Sequence, residues 1–226
     1  RAFLCAGRHL FLPLWSSRSW RAAINSISVQ NACHRINARP PQQIEKSGEM
    51  DDFWVFGYGS LMWRPGFAHV ETRKARLHGY RRSLCVRSHV HRGTPDQPGL
   101  VLGLDRGGSC LGLAFRVPGA LYDEVIAYLR ERELVTKVYL EKRLRIRFLD
   151  GGEAEAVAYV VDRAHVQYAG QLDVEHAARK VAGAMGQSGR NEEYVLNTVE
   201  HLKALGIRDH WLEAVAARLS RQTAAE

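Results

Sequence analysis

Two kinds of hydrophobic spacing divide this chain, and their order sets what it can fold into. From Phe53 to Val161 most segments are extended. Phe53 to Phe56 is a short apolar run, and Arg76 to Ser88 a second extended stretch. Leu100 to Leu104 and Leu111 to Val117 flank Asp105-Arg106-Gly107-Gly108-Ser109, which reads as a hairpin turn. Val138 to Leu149 and Ala154 to Val161 are joined at Asp150-Gly151-Gly152, and the alternation in "RLRIRF" leaves one face wet. One helix interrupts the strands. It opens at Pro118 and places Leu121, Val125, Tyr128 and Leu129 on one face. After Asp173 the spacing becomes helical. Asp173 caps a helix with Val174, Ala178, Val181 and Met185 inward. Asn191 caps another with Val195, Val199, Leu202 and Leu205 inward, ended by Gly206. Asp209 caps a third that runs through Leu219. Strands first and helices last indicate a single α+β domain.

The stretch "DDFWVFGYGSLMW" leaves a buried strand and meets Gly57, Tyr58, Gly59 and Ser60 at once. Two glycines this close imply a tight turn or a backbone that must approach an anion. No Gly-Lys-Ser/Thr follows, so this is no P-loop, and Met62 stands where a dinucleotide fingerprint needs its third glycine. No G-x-S-x-G elbow surrounds Ser60. What remains is a plain turn, or a nest of N–H groups for a carboxylate with the Ser60 hydroxyl as a further donor. The run Arg130-Glu131-Arg132-Glu133 alternates in sign, the ordinary pattern of a solvated helix end. "GQSGRNEEY", Gly186 to Tyr194, places glycines, a serine and an arginine before a helix, which is either a capped turn or an anion site at a helix N-terminus. Tyr194 sits in the first turn of that helix, where side chains point back toward its start. It either packs against the sheet or reaches a site at that end.

Charge and cysteine usage narrow the function classes. The net charge of +8 would suit a nucleic-acid binder, but +5 of it lies in residues 1 to 49. That segment has six arginines and no acid before Glu45, a composition expected of a mitochondrial transit peptide, a tag or an over-extended start ahead of Met50. We expect it to stand outside a single domain spanning 50 to 226. Cys5, Cys33, Cys85 and Cys110 show no C-x-x-C spacing, and the ten histidines form no H-E-x-x-H, so neither zinc nor another metal is expected. No apolar run approaches the roughly 18 residues of a membrane span. The expectation is a cytoplasmic protein with reduced thiols, mitochondrial if the leader is a genuine transit peptide, with no nucleic-acid or membrane partner.

Taken together and in order, "FWVFGYGSLMWRPGF", "HRGTPDQPGLVLGLDRGGSCLGLAFRV", "RERELVTKVY" and "GQSGRNEEYV" resemble the ChaC family of glutathione-specific γ-glutamylcyclotransferases, from about Phe53 to about Leu205. The "LDRGGSCLG" block is similar to the bacterial branch. Where eukaryotic members often carry an arginine after the loop's Pro-Gly, this chain has Leu100. The resemblance implies the γ-glutamylcyclotransferase-like fold, a mixed β-barrel-like sheet with flanking helices. It implies a carbon–nitrogen lyase that cleaves glutathione to 5-oxoproline and cysteinylglycine without a cofactor. It also implies that Val55, Phe56, Gly57, Tyr58, Gly59 and Ser60 bind the γ-glutamyl part, that Glu133 is the proton acceptor, and that Tyr194 belongs to the substrate site. The alternatives are a cyclotransferase of the same fold acting on another γ-glutamyl compound, and a non-catalytic protein in keeping with the family's label as a cation-transport regulator.

Overall fold

Alternating apolar residues cannot bury one face unless strands pair, and here they pair into a closed barrel. The computed structural model describes residues 50–134 and 136–223. The barrel contains β1 (Phe53–Gly57), β2 (Glu71–Ser88), β3 (Gly99–Val117), β4 (Tyr139–Phe148) and β5 (Glu153–Val161), in the order β1-β3-β2-β4-β5. All neighbours are antiparallel except β1 and β5, which close the barrel in parallel. Helix α1 (Tyr122–Glu133) lies between β3 and β4 in the chain. Helices α2 (Val174–Val181), α3 (Asn191–Ala204) and α4 (His210–Thr223) follow the barrel. The expected mixed α+β barrel with flanking helices is what forms. Among the described residues no helix is long and apolar enough to cross a membrane. The expected leader, residues 1 to 49, lies outside the described residues, as do Cys5 and Cys33.

One expected turn is absent. Asp105 to Ser109 does not reverse the chain, and β3 runs unbroken for 19 residues against β2. Gly107 and Gly108 adopt left-handed φ of +98° and +70° opposite a register shift between His78 and Tyr80. The glycines therefore bend one long strand, as barrel closure requires, and the hairpin is β2–β3 itself.

Strand alternation sends neighbouring side chains to different cores. Phe53 and Val55 pack with Val125, Ile126 and Leu129 of α1 on the outer face. Phe56 and Tyr58 join Leu77, Leu84, Leu102 and Leu104 in the barrel core, which continues into Val195, Leu202, Leu212 and Leu219 of the C-terminal helices. Two helical expectations are corrected. Helix α2 stops at Val181 and Met185 is exposed, because residues 185–190 form a two-stranded hairpin instead of another turn. Asn191 does not cap α3 but is its first residue and fully buried. The caps of Asp173, on the His176 N–H at 2.8 Å, and of Asp209, on the Leu212 N–H at 3.1 Å, form as expected, and Gly206 ends α3 at φ +66°.

Candidate active site

The site grows from an unpaired strand edge. Strand β3 pairs with β1 only through residues 113–117, so along its first half the edge away from β2 has no strand partner. Buried backbone groups there need other partners. Asn191 supplies two: its Oδ1 accepts the Leu100 N–H at 2.6 Å and its Nδ2 donates to the Leu100 carbonyl at 2.8 Å. Two residues along, the Tyr194 hydroxyl accepts the Leu102 N–H at 3.1 Å, and the Tyr139 hydroxyl donates to the Leu102 carbonyl at 2.6 Å. Asn191 and Tyr194 are three apart on a helix, hence on one face, matching two β-residues that share an edge. This accounts for the spacing in "RNEEY". Leu100 itself is buried in the barrel core and offers the site no charge.

Glu133 arrives from the last turn of α1. Its side chain is 18% exposed, and burial raises its pKa above the ordinary value of 4.5, with the Arg132 guanidinium, 3.3 Å away, opposing. Among the described residues no hydrogen bond reaches its carboxylate. Its charge is felt by Tyr58, Tyr139 and Tyr194, whose hydroxyls burial pushes upward, that of Tyr194 to about 12, so all three keep their protons at neutral pH. Lys137, at φ +57°, turns the chain after α1 so that Tyr139 returns to this cluster.

Two arginines brace the Gly57–Ser60 segment. Arg132 donates to the Ser60 hydroxyl at 2.9 Å, the Arg64 carbonyl at 2.7 Å and the Tyr128 hydroxyl at 2.8 Å, tying the end of α1 to the turn. Arg82, nearly buried, donates to the Tyr58 carbonyl at 2.6 Å and the Leu111 carbonyl at 2.7 Å, and pairs with Asp209 at 3.0 Å. After Gly59 the chain makes a single 3-10 turn, Ser60–Met62, and Met62 N–H bonds the Gly59 carbonyl at 2.9 Å. The N–H groups just before it open the turn, where such donors lack partners within the helix.

The candidate residues thus divide. Gly59 and Tyr194 meet at Leu102, and Glu133 lies within electrostatic reach of Tyr58, Tyr139 and Tyr194, while Gly57 faces Leu61 and Phe115. Val55 and Phe56 do not present side chains there: both are wholly buried, Val55 beneath α1 and Phe56 inside the barrel. Ser60 is exposed, and its oxygen is engaged by Arg132. Tyr139, Arg132 and Arg82 escaped sequence reasoning. Tyr139 ends the "RERELVTKVY" block, so that block held its signal. Among the described residues, no group of three or more His, Cys, Asp or Glu side chains could hold a metal ion. Cys85 lies close enough to influence Tyr58 and Tyr139, yet burial pushes its thiol up to about 12, leaving it protonated.

Tyr194→Phe separates structural from functional use of this hydroxyl. Losing the acceptor strands the Leu102 N–H, a cost of about 1–3 kcal/mol, so the melting temperature should fall. A site hydroxyl predicts that kcat/KM also falls in the fully folded variant. Unchanged kcat/KM beside a lowered melting temperature removes Tyr194 from the site.

Known proteins resemble this chain in sequence and in fold. A family model described as ChaC-like protein matches residues 53–222. The glutathione-specific gamma-glutamylcyclotransferase of Escherichia coli K12 is 34% identical over 159 residues, 70% of this chain and 69% of that protein. The human glutathione-specific gamma-glutamylcyclotransferase 1 is 33% identical over 174 residues, 74% and 78% of the two chains. The crystal structure of a glutathione-specific γ-glutamyl cyclotransferase from yeast shares the fold, with a TM-score of 0.69 at 21% identity over 76% of this chain and 97% of that one. On the family match and these identities, the chain belongs to the ChaC-like family.

Proposed function

We propose that this protein is a γ-glutamylcyclotransferase that cleaves glutathione to 5-oxoproline and cysteinylglycine, with Glu133 as the general base. The observation that carries the mechanism is the Glu133 carboxylate: shielded, raised in pKa, and accepting no hydrogen bond among the described residues. The names of the relatives support the substrate.

The chemistry follows from the substrate. Its α-amine is an ammonium at neutral pH and must lose a proton before attack. Glu133 takes that proton, and a raised pKa brings it closer to the operating pH, where a base works best. The freed nitrogen attacks the γ-carbonyl carbon, closing a five-membered ring. As the tetrahedral centre collapses, the bond to the cysteinyl nitrogen breaks. Protonated Glu133 returns its proton to that nitrogen, and the second proton of the attacking nitrogen follows through the regenerated carboxylate, so the ring closes as a neutral lactam and cysteinylglycine leaves as an ammonium. No water is consumed and atoms balance between one tripeptide and two products, so acid–base chemistry alone suffices. Holding the substrate folded supplies much of the acceleration, since oriented intramolecular reactions reach effective molarities of about 10⁵–10⁸ M. The N–H groups opening the Ser60–Met62 turn hold the γ-glutamyl carboxylate or the developing oxyanion. Tyr58, Tyr139 and Tyr194 supply neutral hydroxyls around the base. Val55 and Phe56 support the turn from below rather than touching substrate with their side chains. The activity resides in residues 50–226 and operates in the cytoplasm, or in mitochondria if residues 1–49 direct it there.

The acid limb of the kcat/KM profile reads Glu133 directly. The base must be ionised, so activity rises with pH through its pKa. With that pKa raised by burial, the midpoint is expected above 4.5. A midpoint at or below 4.5 contradicts the assignment. For the substrate, release of 5-oxoproline from glutathione is to be compared with release from γ-glutamyl-alanine. Preference for glutathione supports the proposal, and preference for γ-glutamyl-alanine favours a cyclotransferase for another γ-glutamyl compound.

A further inference from the structure

Arg92 is a cation beside the site that makes no ion pair among the described residues, although the Glu193 carboxylate lies on the same side, both flanking the position a Gly189 Cβ would take. Its backbone is clamped: its N–H donates to the Ser88 hydroxyl at 3.0 Å, and a side chain on Gly99 would collide with its carbonyl. The 185–190 hairpin docks on the preceding residues, Gln187 N–H on the Val90 carbonyl at 2.8 Å and Ser188 N–H on the His91 carbonyl at 2.9 Å. The Arg92 guanidinium lies 5.4 Å from the centroid of the Tyr194 ring and donates to the Arg190 carbonyl at 3.2 Å. Among the described residues no carboxylate lies within 4.0 Å of it. Four other arginines carry ion pairs: Arg132 with Glu133, Arg82 with Asp209, and Arg81 and Arg163 with the buried Asp105. A half-buried guanidinium with unspent donors favours an anion brought from outside.

Its place in the site says which anion. Leu102 lies beside Gly59, where a Cβ would stand 3.6 Å from its Cδ1, and its N–H bonds Tyr194; Arg92 lies over the Tyr194 ring. Gly59, Leu102, Tyr194 and Arg92 thus form a chain of contacts that links the turn to the cation. Glutathione carries two carboxylates. One adjoins the α-amine that Glu133 must reach, at the turn. The other terminates the leaving cysteinylglycine, at the far end of the molecule. Resting on the function proposed above, we infer that Arg92 clamps the terminal glycyl carboxylate and so sets the preference for the full tripeptide. A planar guanidinium and a carboxylate pair through two parallel hydrogen bonds, which adds direction to charge.

The test compares glutathione with the same peptide carrying a terminal amide, in wild type, Arg92→Gln and Arg92→Lys. Loss of a charge-assisted hydrogen bond predicts that wild type prefers the acid by about 10- to 100-fold in kcat/KM, chiefly through KM. Arg92→Gln should reduce that preference to below about threefold, and Arg92→Lys should retain part of it. A wild-type preference left intact in Arg92→Gln overturns the inference. So does equal use of acid and amide by wild type, a result that needs no variant to fold. Absence of 5-oxoproline from both peptides with wild type overturns the function itself, which distinguishes the two failures.

Discussion

Replacing Glu133 by glutamine is expected to lower kcat by about 10²–10⁴-fold, the usual contribution of a positioned general base, while glutathione binding stays within about tenfold. The amide keeps the shape of the carboxylate but cannot take the ammonium proton. The same variant should not be less stable than wild type. Burial raises the folded-state pKa of Glu133, so between its unfolded and folded pKa the folded protein binds more protons. Stability therefore falls as pH rises through that window, and the full penalty is present above it. Glutamine removes the charge that carries the penalty, although it also gives up the pairing with Arg132. A melting temperature at neutral pH equal to or above wild type, together with lost activity, is the expected pair of results. Near-normal kcat in a folded Glu133→Gln protein ends the assignment.

The second large effect is expected at Gly59. Gly59 sits at φ −134° and ψ −132°, and an added Cβ would meet only Leu102 Cδ1 at 3.6 Å. The glycine is therefore not demanded by the packing around it. A valine there would project over Leu102 and occupy space beside Tyr194, displacing the substrate. A misplacement of about 1 Å can cost about 10²-fold, so Gly59→Val should lose at least that in kcat/KM. Gly57→Val should act mainly through a lowered melting temperature, because its Cβ would press on Leu61 Cβ at 3.2 Å and Phe115 at 3.3 Å inside the core. Ser60→Ala removes the bond from Arg132 on an exposed residue, a loss of roughly 0.5–1.5 kcal/mol and more where the partner is charged, far milder than Gly59→Val. Steady-state kinetics and thermal melts on the three variants settle the ordering. Unimpaired kinetics in Gly59→Val would show that the turn does not hold substrate.

How much of this was legible in the sequence depends on whether the signal was local. The helix caps at Asp173 and Asp209 and the end at Gly206 are local chemistry and form as read. The paired strands around Asp150-Gly151-Gly152 are equally local. The bend at Gly107-Gly108 was misread as a hairpin because a left-handed Gly-Gly serves a turn and a kinked barrel strand alike. Only the register with β2, set by residues far away in the chain, distinguishes them. Asn191 has the ideal composition of a cap, but its side chain is taken by Leu100, some ninety residues away in sequence. No single-sequence pattern shows that β3 has an open edge there. Tyr139 was hidden for the same reason, being one aromatic at a strand start until the fold sets it against Leu102 and Glu133. Glu133 itself carries no local mark among alternating charges. The family motif singled it out, and burial then explains why this carboxylate differs from Glu131, two residues earlier and exposed.

The central claim is that the substrate's own amine, freed by Glu133, cleaves the γ-glutamyl bond. The most direct measurement is mass analysis of the products after incubating reduced glutathione with the wild-type protein in heavy-oxygen water. Equal amounts of 5-oxoproline and cysteinylglycine, with no heavy oxygen in the 5-oxoproline and with product from Glu133→Gln formed at least about 10²-fold more slowly, is the predicted result. Labelled glutamate in place of 5-oxoproline would show hydrolysis by water and would contradict the account.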